Sequence, residues 1–83
     1  MPEERVGIVN DYFAHIGVAG IDLEGPLRVG DTIHIRGHTT DIEIAVESMQ
    51  VEHEQVQEAK AGDAIGIKVP DRCRHGDVAY KVT

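Results

Sequence analysis

Eighty-three residues carry eight Lys or Arg against fifteen Asp or Glu, a formal net charge of −7, with 41% apolar and 28% charged residues. That composition describes one soluble globular domain spanning 1–83, too short for a multi-domain enzyme. It is also too acidic for a general nucleic-acid binder, because gripping phosphates by charge requires a basic face.

The opening Met1-Pro2-Glu3-Glu4-Arg5 has neither the basic start nor the apolar run of a signal peptide. No stretch approaches the ~20 mainly apolar residues that span a bilayer. Cys73 is the single cysteine, which excludes an internal disulfide. The expected location is the cytoplasm.

In chain order, Arg5 to Asp11 reads as a strand with Val6 and Ile8 on one face. Ile16 to Leu23 is β-branched and punctuated by glycine, which suits a second strand with a bend or bulge. Glu24-Gly25-Pro26 signals a turn. Thr32 to Arg36 alternates cleanly, with Ile33 and Ile35 inward.

Asp41 to Val51 is the longest run, and its alternation slips midway. Ile42, Ile44 and Val46 share one face, whereas Met49 and Val51 sit at odd positions. One straight strand would expose the second set, so a bulge or bend is expected near Glu47-Ser48. A helix competes here, because Val46, Met49, Gln50 and His53 recur at helical spacing; the Ile/Val content of the first half favours strand. Ala64 to Val69 should bury Ile65, Ile67 and Val69, and Val78 to Val82 should bury Val78, Tyr80 and Val82. Six strands without a convincing helix predict an all-β, six-stranded, closed, antiparallel-type barrel.

A Gly-Asp pair leads into three of these strands, at Gly30-Asp31, Gly62-Asp63 and Gly76-Asp77. Glycine supplies the positive φ of a sharp turn, and the carboxylate can close an Asx-type turn onto the backbone just beyond it. The alternative is a gathering of three carboxylates at one site. Recurrence at the same structural moment favours turns.

Three segments follow one another in a recognisable order: Leu27-Arg28-Val29-Gly30-Asp31-Thr32-Ile33-His34-Ile35, then Val46-Glu47-Ser48-Met49, then Ala59-Lys60-Ala61-Gly62-Asp63-Ala64-Ile65-Gly66-Ile67. That succession resembles the second domain of translational GTPases such as elongation factor Tu, and the likeness runs from Gly7 to Tyr80. With Tyr12-Phe13 and Gly17-Val18-Ala19-Gly20-Ile21 included, the chain is nearest to small stand-alone prokaryotic proteins described as elongation-factor-like. It is also similar to the C-terminal barrel of the collagenase-like peptidase family, some members of which are implicated in RNA hydroxylation. The resemblance implies the β-barrel fold of domain 2. No Gly-x-x-x-x-Gly-Lys-Ser/Thr loop occurs, so GTP binding does not accompany it. No tRNA-contacting residue is carried over.

Five histidines raise the question of a metal. His34 and His38 would lie ~13 Å apart on an extended strand, too far to share one zinc. Cys73 and His75 supply two ligands from one loop, and His15 or His53 would have to complete the set. Arg72 and Arg74 flank Cys73 and would favour its thiolate, with His75 the local base for a cysteine enzyme. Such a pair needs a pocket around it, which a barrel of this size hardly offers. The bland reading is polar loop and surface histidines with Cys73 a half-buried thiol, and no metal, cofactor or catalytic residue is assigned.

Charge placement says more. Residues 1–36 are net −3, residues 37–59 net −6 with no basic side chain, and residues 60–83 net +2. Asp41, Glu43, Glu47, Glu52, Glu54 and Glu58 form a candidate acidic face toward a protein partner. Lys68, Arg72 and Arg74, helped by Lys60 or Lys81, form a small basic tip, and Tyr12-Phe13 supply rings for base stacking. The bland reading of both patches is a solvated surface, with one ring plugging the barrel end. The expected function is a non-catalytic, monomeric binding module that docks a ribosome-associated or RNA-modifying protein. RNA contact through Lys68, Arg72, Arg74, Tyr12 and Phe13 is the alternative, and a Cys73/His75 enzyme a distant third.

Overall fold

The computed structural model describes residues 3–82, so Met1 and Pro2 of the opening segment, and Thr83, lie outside the described residues. Ten strands account for the regular structure: β1 (Glu3–Phe13), β2 (Val18–Leu23), β3 (Leu27–Arg28), β4 (Thr32–Arg36), β5 (Asp41–Ala45), β6 (Met49–Val51), β7 (Glu54–Val56), β8 (Glu58–Ala59), β9 (Ala64–Lys68) and β10 (Val78–Val82). No helix among the described residues is long and apolar enough to cross a membrane. Eight strands form one sheet in the order β5-β4-β10-β1-β2-β9-β6-β7, and β3 pairs β8 in a second.

The all-β class stands, and the six-stranded closed barrel does not. β3, β7 and β8 are two or three residues long, too short to show an alternation. The ladder ends at β5 on one side and β7 on the other, so hydrogen bonding does not close it. The sheet is nevertheless strongly curled. β5 and β6 sit six spacings apart in the ladder, about 29 Å if the sheet were flat. The chain joins Ala45 to Met49 through Val46, Glu47 and Ser48 alone, a reach of ~14 Å at most. In place of the bulge or bend expected near Glu47-Ser48, the chain leaves the strand altogether at this crossing, and the run divides into two strands that are not neighbours in the sheet.

Bulges decide which side chains face in. The β1–β10 register shifts between Arg5 and Gly7, and the β1–β2 register between Val9 and Asp11. An extra residue at each place puts Val6 and Val9 inside. Ile8, expected beside Val6, pairs across β10 and β2 with Val78 and Asp22 on the outer face. The same register corrects β10. Ala79 is opposite Ile35 and Gly7 and is fully buried, while Val78, Tyr80 and Val82 lie half-buried on the outside. β4 and β9 bury the expected pairs, Ile33/Ile35 and Ile65/Ile67, and Val69 follows. Leu23, Leu27, Val46 and Met49 complete the centre of the core.

The three Gly-Asp motifs are turns of one design. Arg28, Lys60 and Arg74 each receive the N–H of the Asp three residues on, at 3.0–3.1 Å, through their carbonyls. That Asp returns a carboxylate oxygen to the first residue's N–H, at 3.0 Å for Asp31, 3.1 Å for Asp63 and 2.8 Å for Asp77. The bond therefore runs backward along the chain. The intervening glycines have φ of 101°, 94° and 97°, the third position of a type II turn.

Candidate binding surfaces

A wide surface depression is built where β1 hands over to β2. Residues 14–17 close the hairpin: Ile16 and Gly17 donate their N–H groups to the Phe13 carbonyl, at 3.2 and 2.8 Å. Gly17 takes φ 66°, where an L side chain is strained. Val69 then donates to the Gly17 carbonyl at 2.9 Å, tying the tip to the end of β9. This geometry leaves Phe13 41% and Ile16 54% exposed, the two large apolar side chains most open to solvent among the described residues.

Below the tip, Gly20 of β2 stands opposite Gly66 of β9, and Gly66 opposite Gln50 of β6. Two adjacent glycines leave bare backbone as the floor of a groove of about 630 Å³. Phe13, Ile16 and Val18 form its apolar wall, and His15, Glu52 and His53 reach it from the tip and the β6–β7 turn. A Cβ at Gly20 would approach Asn10 Oδ1 to 3.0 Å, and one at Gly66 would approach Val18 Cγ1 to 3.3 Å. Sequence reasoning singled out Phe13 and missed this floor. Only the strand register places residues 20, 50 and 66 side by side.

Tyr12 and Phe13 divide the two roles left open for them. Tyr12, opposite Ala19, is half-buried against the core, while Phe13 lies outside. Lys68 is opposite Val18, which is opposite Phe13, so the lysine and the exposed ring share one outer row. Arg72 and Arg74 lie elsewhere. They line a polar cleft of about 330 Å³ with Thr39, Thr40, Asp41, Ile42 and Asp71, where both signs of charge meet. Lys68 is not part of that cleft's lining.

The acidic residues are all exposed but distributed. Asp41 and Glu43 belong to β5, Glu47 to the crossing, Glu52 to the β6–β7 turn, Glu54 to β7 and Glu58 to β8. Glu52 and His53 have φ of 53° and 67°, the two positive values of a type I′ hairpin turn. Glu58 lies 3.7 Å from Arg28. Asp41 is engaged by His34 Nε2, while His34 Nδ1 is 2.7 Å from Glu3 Oε2. The Asp41 and Glu3 hydrogen bonds raise the His34 pKa, and the bond to His34 lowers that of Asp41.

Cys73 contradicts the reactive-thiolate expectation. It is 2% exposed, and burial, then the charges of Asp77 and Asp71, push its thiol up to about 11. The side chain belongs to the core while the flanking arginines are exposed, so desolvation outweighs the cations. His75 is exposed. No group of three or more His, Cys, Asp or Glu among the described residues could hold a metal ion.

Residues 17–78 match the family model described as elongation factor Tu domain 2. The chain belongs to that family. It is 41% identical over 77 residues to an uncharacterized protease of Methanocaldococcus jannaschii, covering 92% of this chain and 19% of that protein. It is 39% identical over 72 residues to a collagenase of Porphyromonas gingivalis, covering 84% of this chain and 20% of that one. The chain therefore spans about a fifth of the length of these curated relatives. In fold it is similar to the C-terminal domain of a Geobacillus thermoleovorans protein described as a U32 peptidase. That match has a TM-score of 0.89 at 19% identity, over 96% of this chain and 93% of the other. The selenomethionine variant of that domain gives 0.87 over 92% and 96%.

Proposed function

We propose that this chain is a cytoplasmic, non-catalytic binding module whose glycine-floored groove docks a protein partner linked to translation or RNA modification. The observation that carries the reading is the groove itself, with Phe13 and Ile16 held out in solvent above bare backbone. Exposed large side chains beside a concave apolar surface are the usual anchors of an interface. Kinship to elongation factor Tu domain 2 supports a translation-linked partner. Likeness to the C-terminal domain of a U32 peptidase supports a role beside a separate catalytic unit.

Affinity capture from the source cell, run in parallel with wild type and Phe13→Ser/Ile16→Ser, tests this reading. Ribosomal or RNA-modifying proteins should dominate the wild-type capture and drop out with the double variant. A capture lacking them, or one the double variant leaves intact, overturns it.

RNA contact is retained as a second reading because Phe13 and Lys68 share one outer row. A ring beside an ammonium can stack one base and hold one phosphate. Fluorescence anisotropy with tRNA at low salt should then show binding that Phe13→Ala/Lys68→Glu abolishes. Absence of binding removes this reading.

A further inference from the structure

β5 is an end strand of the eight-stranded sheet, hydrogen-bonded to β4 alone. Its neighbours in the chain show which backbone groups point which way. The Thr40 carbonyl accepts from Gly37 N–H at 2.8 Å on the β4 side. Val46 also faces that side, donating to the Asp31 carbonyl and accepting from Gly30 N–H, both at 2.8 Å. Backbone N–H and C=O alternate sides along a strand, so Ile42 and Ile44 share that direction and bond β4. Asp41, Glu43 and Ala45 therefore aim their N–H and C=O groups at the open edge, where no partner for them exists among the described residues. The opposite end of the ladder is different. There the Gln57 carbonyl, just past β7, already accepts from Val29 N–H at 2.8 Å.

Side chains on the open edge sort by face. Ile42 and Ile44 are half-buried and packed against the core, while Asp41, Glu43 and Ala45 are exposed on the other face. Glu47 is exposed two residues beyond. Acidic side chains on an edge deter pairing with a second copy, because two β5 strands would bring like charges together. They favour a strand of opposite charge.

We infer that the open edge of β5 is a strand-addition site for an extended protein segment that alternates apolar and basic side chains. Its backbone pairs with Asp41, Glu43 and Ala45. Its apolar residues extend the Ile42/Ile44 face, and a lysine or arginine stands beside Glu43. Register is limited at one end, because Arg72 and Arg74 lie in the cleft beside Asp41 and Ile42 and repel a second cation there. The basic side chains therefore fall toward Glu43 and Glu47. This surface is separate from the Phe13 groove, so it stands or falls independently of it.

The probe is a blocked seven-residue peptide alternating valine and lysine, titrated into the intact chain at low salt. Amide exchange of Glu43 and Ala45 should slow by about tenfold or more at saturation, as newly bonded edge amides do. The same peptide with glutamate for lysine should not bind. A version N-methylated on alternate residues should fail as well, because it cannot donate to the edge. Glu43→Lys should weaken the lysine peptide about tenfold and admit the glutamate one, since the substitution reverses the charge opposite the peptide. Ala45→Pro removes an outward N–H without touching the β4 ladder and should also block binding; thermal unfolding verifies its fold. Three results overturn the inference: no binding at millimolar peptide, binding without slowed exchange at Glu43 and Ala45, or equal binding of the N-methylated peptide.

Discussion

The turns at Lys60–Asp63 and Arg74–Asp77 are nearly superimposable in their bonds, yet they sit in different surroundings. Both pair a first-residue carbonyl with the Asp N–H at 3.0 Å, and both place glycine at φ near 95°. Asp63 is half-buried at the surface, and open space surrounds the position of a Cβ on Gly62. Asp77 is 5% exposed, and a Cβ on Gly37 would fall 1.9 Å from its Oδ1. Its backbone also reaches β1, since Val9 N–H donates to the Asp77 carbonyl at 2.7 Å and Gly76 N–H to the Val9 carbonyl at 2.8 Å. The other turn makes the equivalent pair with β2, Leu23 N–H donating to the Asp63 carbonyl and Gly62 N–H to the Leu23 carbonyl, both at 2.9 Å. The two therefore fasten their loops alike and differ in enclosure: Asp63 stands at the surface, and Asp77 is walled in beside Gly37.

The largest effect is expected where the enclosed turn is disturbed. Asp77→Ala should cost about 2–3 kcal/mol, because the Arg74 N–H loses a charged acceptor inside the protein. Gly37→Ala should cost at least as much, since Asp77 is held by Arg74 N–H and cannot swing aside. Urea unfolding measures both. Asp63→Ala and Asp31→Ala lose an equivalent bond at the surface and should cost about 1 kcal/mol each. Equal losses at positions 63 and 77 would erase the distinction between the turns.

A sharper comparison comes from the glycines. Gly30, Gly62 and Gly76 share their φ, and at none of them would an added Cβ meet another atom within 4 Å, so steric crowding is equal at the three. Gly→Ala should therefore cost a similar ~1–2 kcal/mol at each, the strain of an L residue held in the left-handed region. A much larger loss at Gly76 would show that the enclosed Asp77 resists relaxation, because Gly30 and Gly62 donate equivalent backbone bonds to Val46 and Leu23.

These turns were legible in the sequence because glycine and aspartate act within four residues. β4 and β9 were legible for a related reason: Ile33/Ile35 and Ile65/Ile67 alternate without interruption. Ile8 and β10 were not. A bulge shifts every later side chain by one face, and nothing in Val6-Gly7-Ile8-Val9 marks where the extra residue is absorbed. Val78, Tyr80 and Val82 were expected inside on alternation alone, yet Ala79 is the residue that meets Ile35 and Gly7. The groove was half legible. Phe13 stood out as an aromatic, whereas Gly20 and Gly66 gain meaning only when non-local pairing sets them side by side. The arginines beside Cys73 suggested a thiolate because sequence neighbours show charge and hide burial.

The smallest expected effect contrasts a buried carboxylate with exposed ones. Asp77 is enclosed, whereas Glu3 and Asp41 flank His34 on the outer face of β4, and Asp41 is mostly in solvent. His34 holds its proton more tightly than a free imidazole because both carboxylates bond it. Its contribution is therefore complete below the ordinary value of 6.5 and is lost as pH rises through the elevated one. Asp41 works in the other direction: its lowered pKa contributes above the ordinary carboxylate value and fades as pH falls through the depressed one. Stability should thus decline modestly from pH 6.5 upward, and again at strongly acid pH. His34→Gln should flatten the upper limb and leave the cost of Asp77→Ala unchanged, because distant sites add independently. An upper limb that survives in His34→Gln would assign the decline to another group. Coupling between the two substitutions would mean that the outer face of β4 senses the Asp77 fastening through Gly37, which follows β4 directly in the chain.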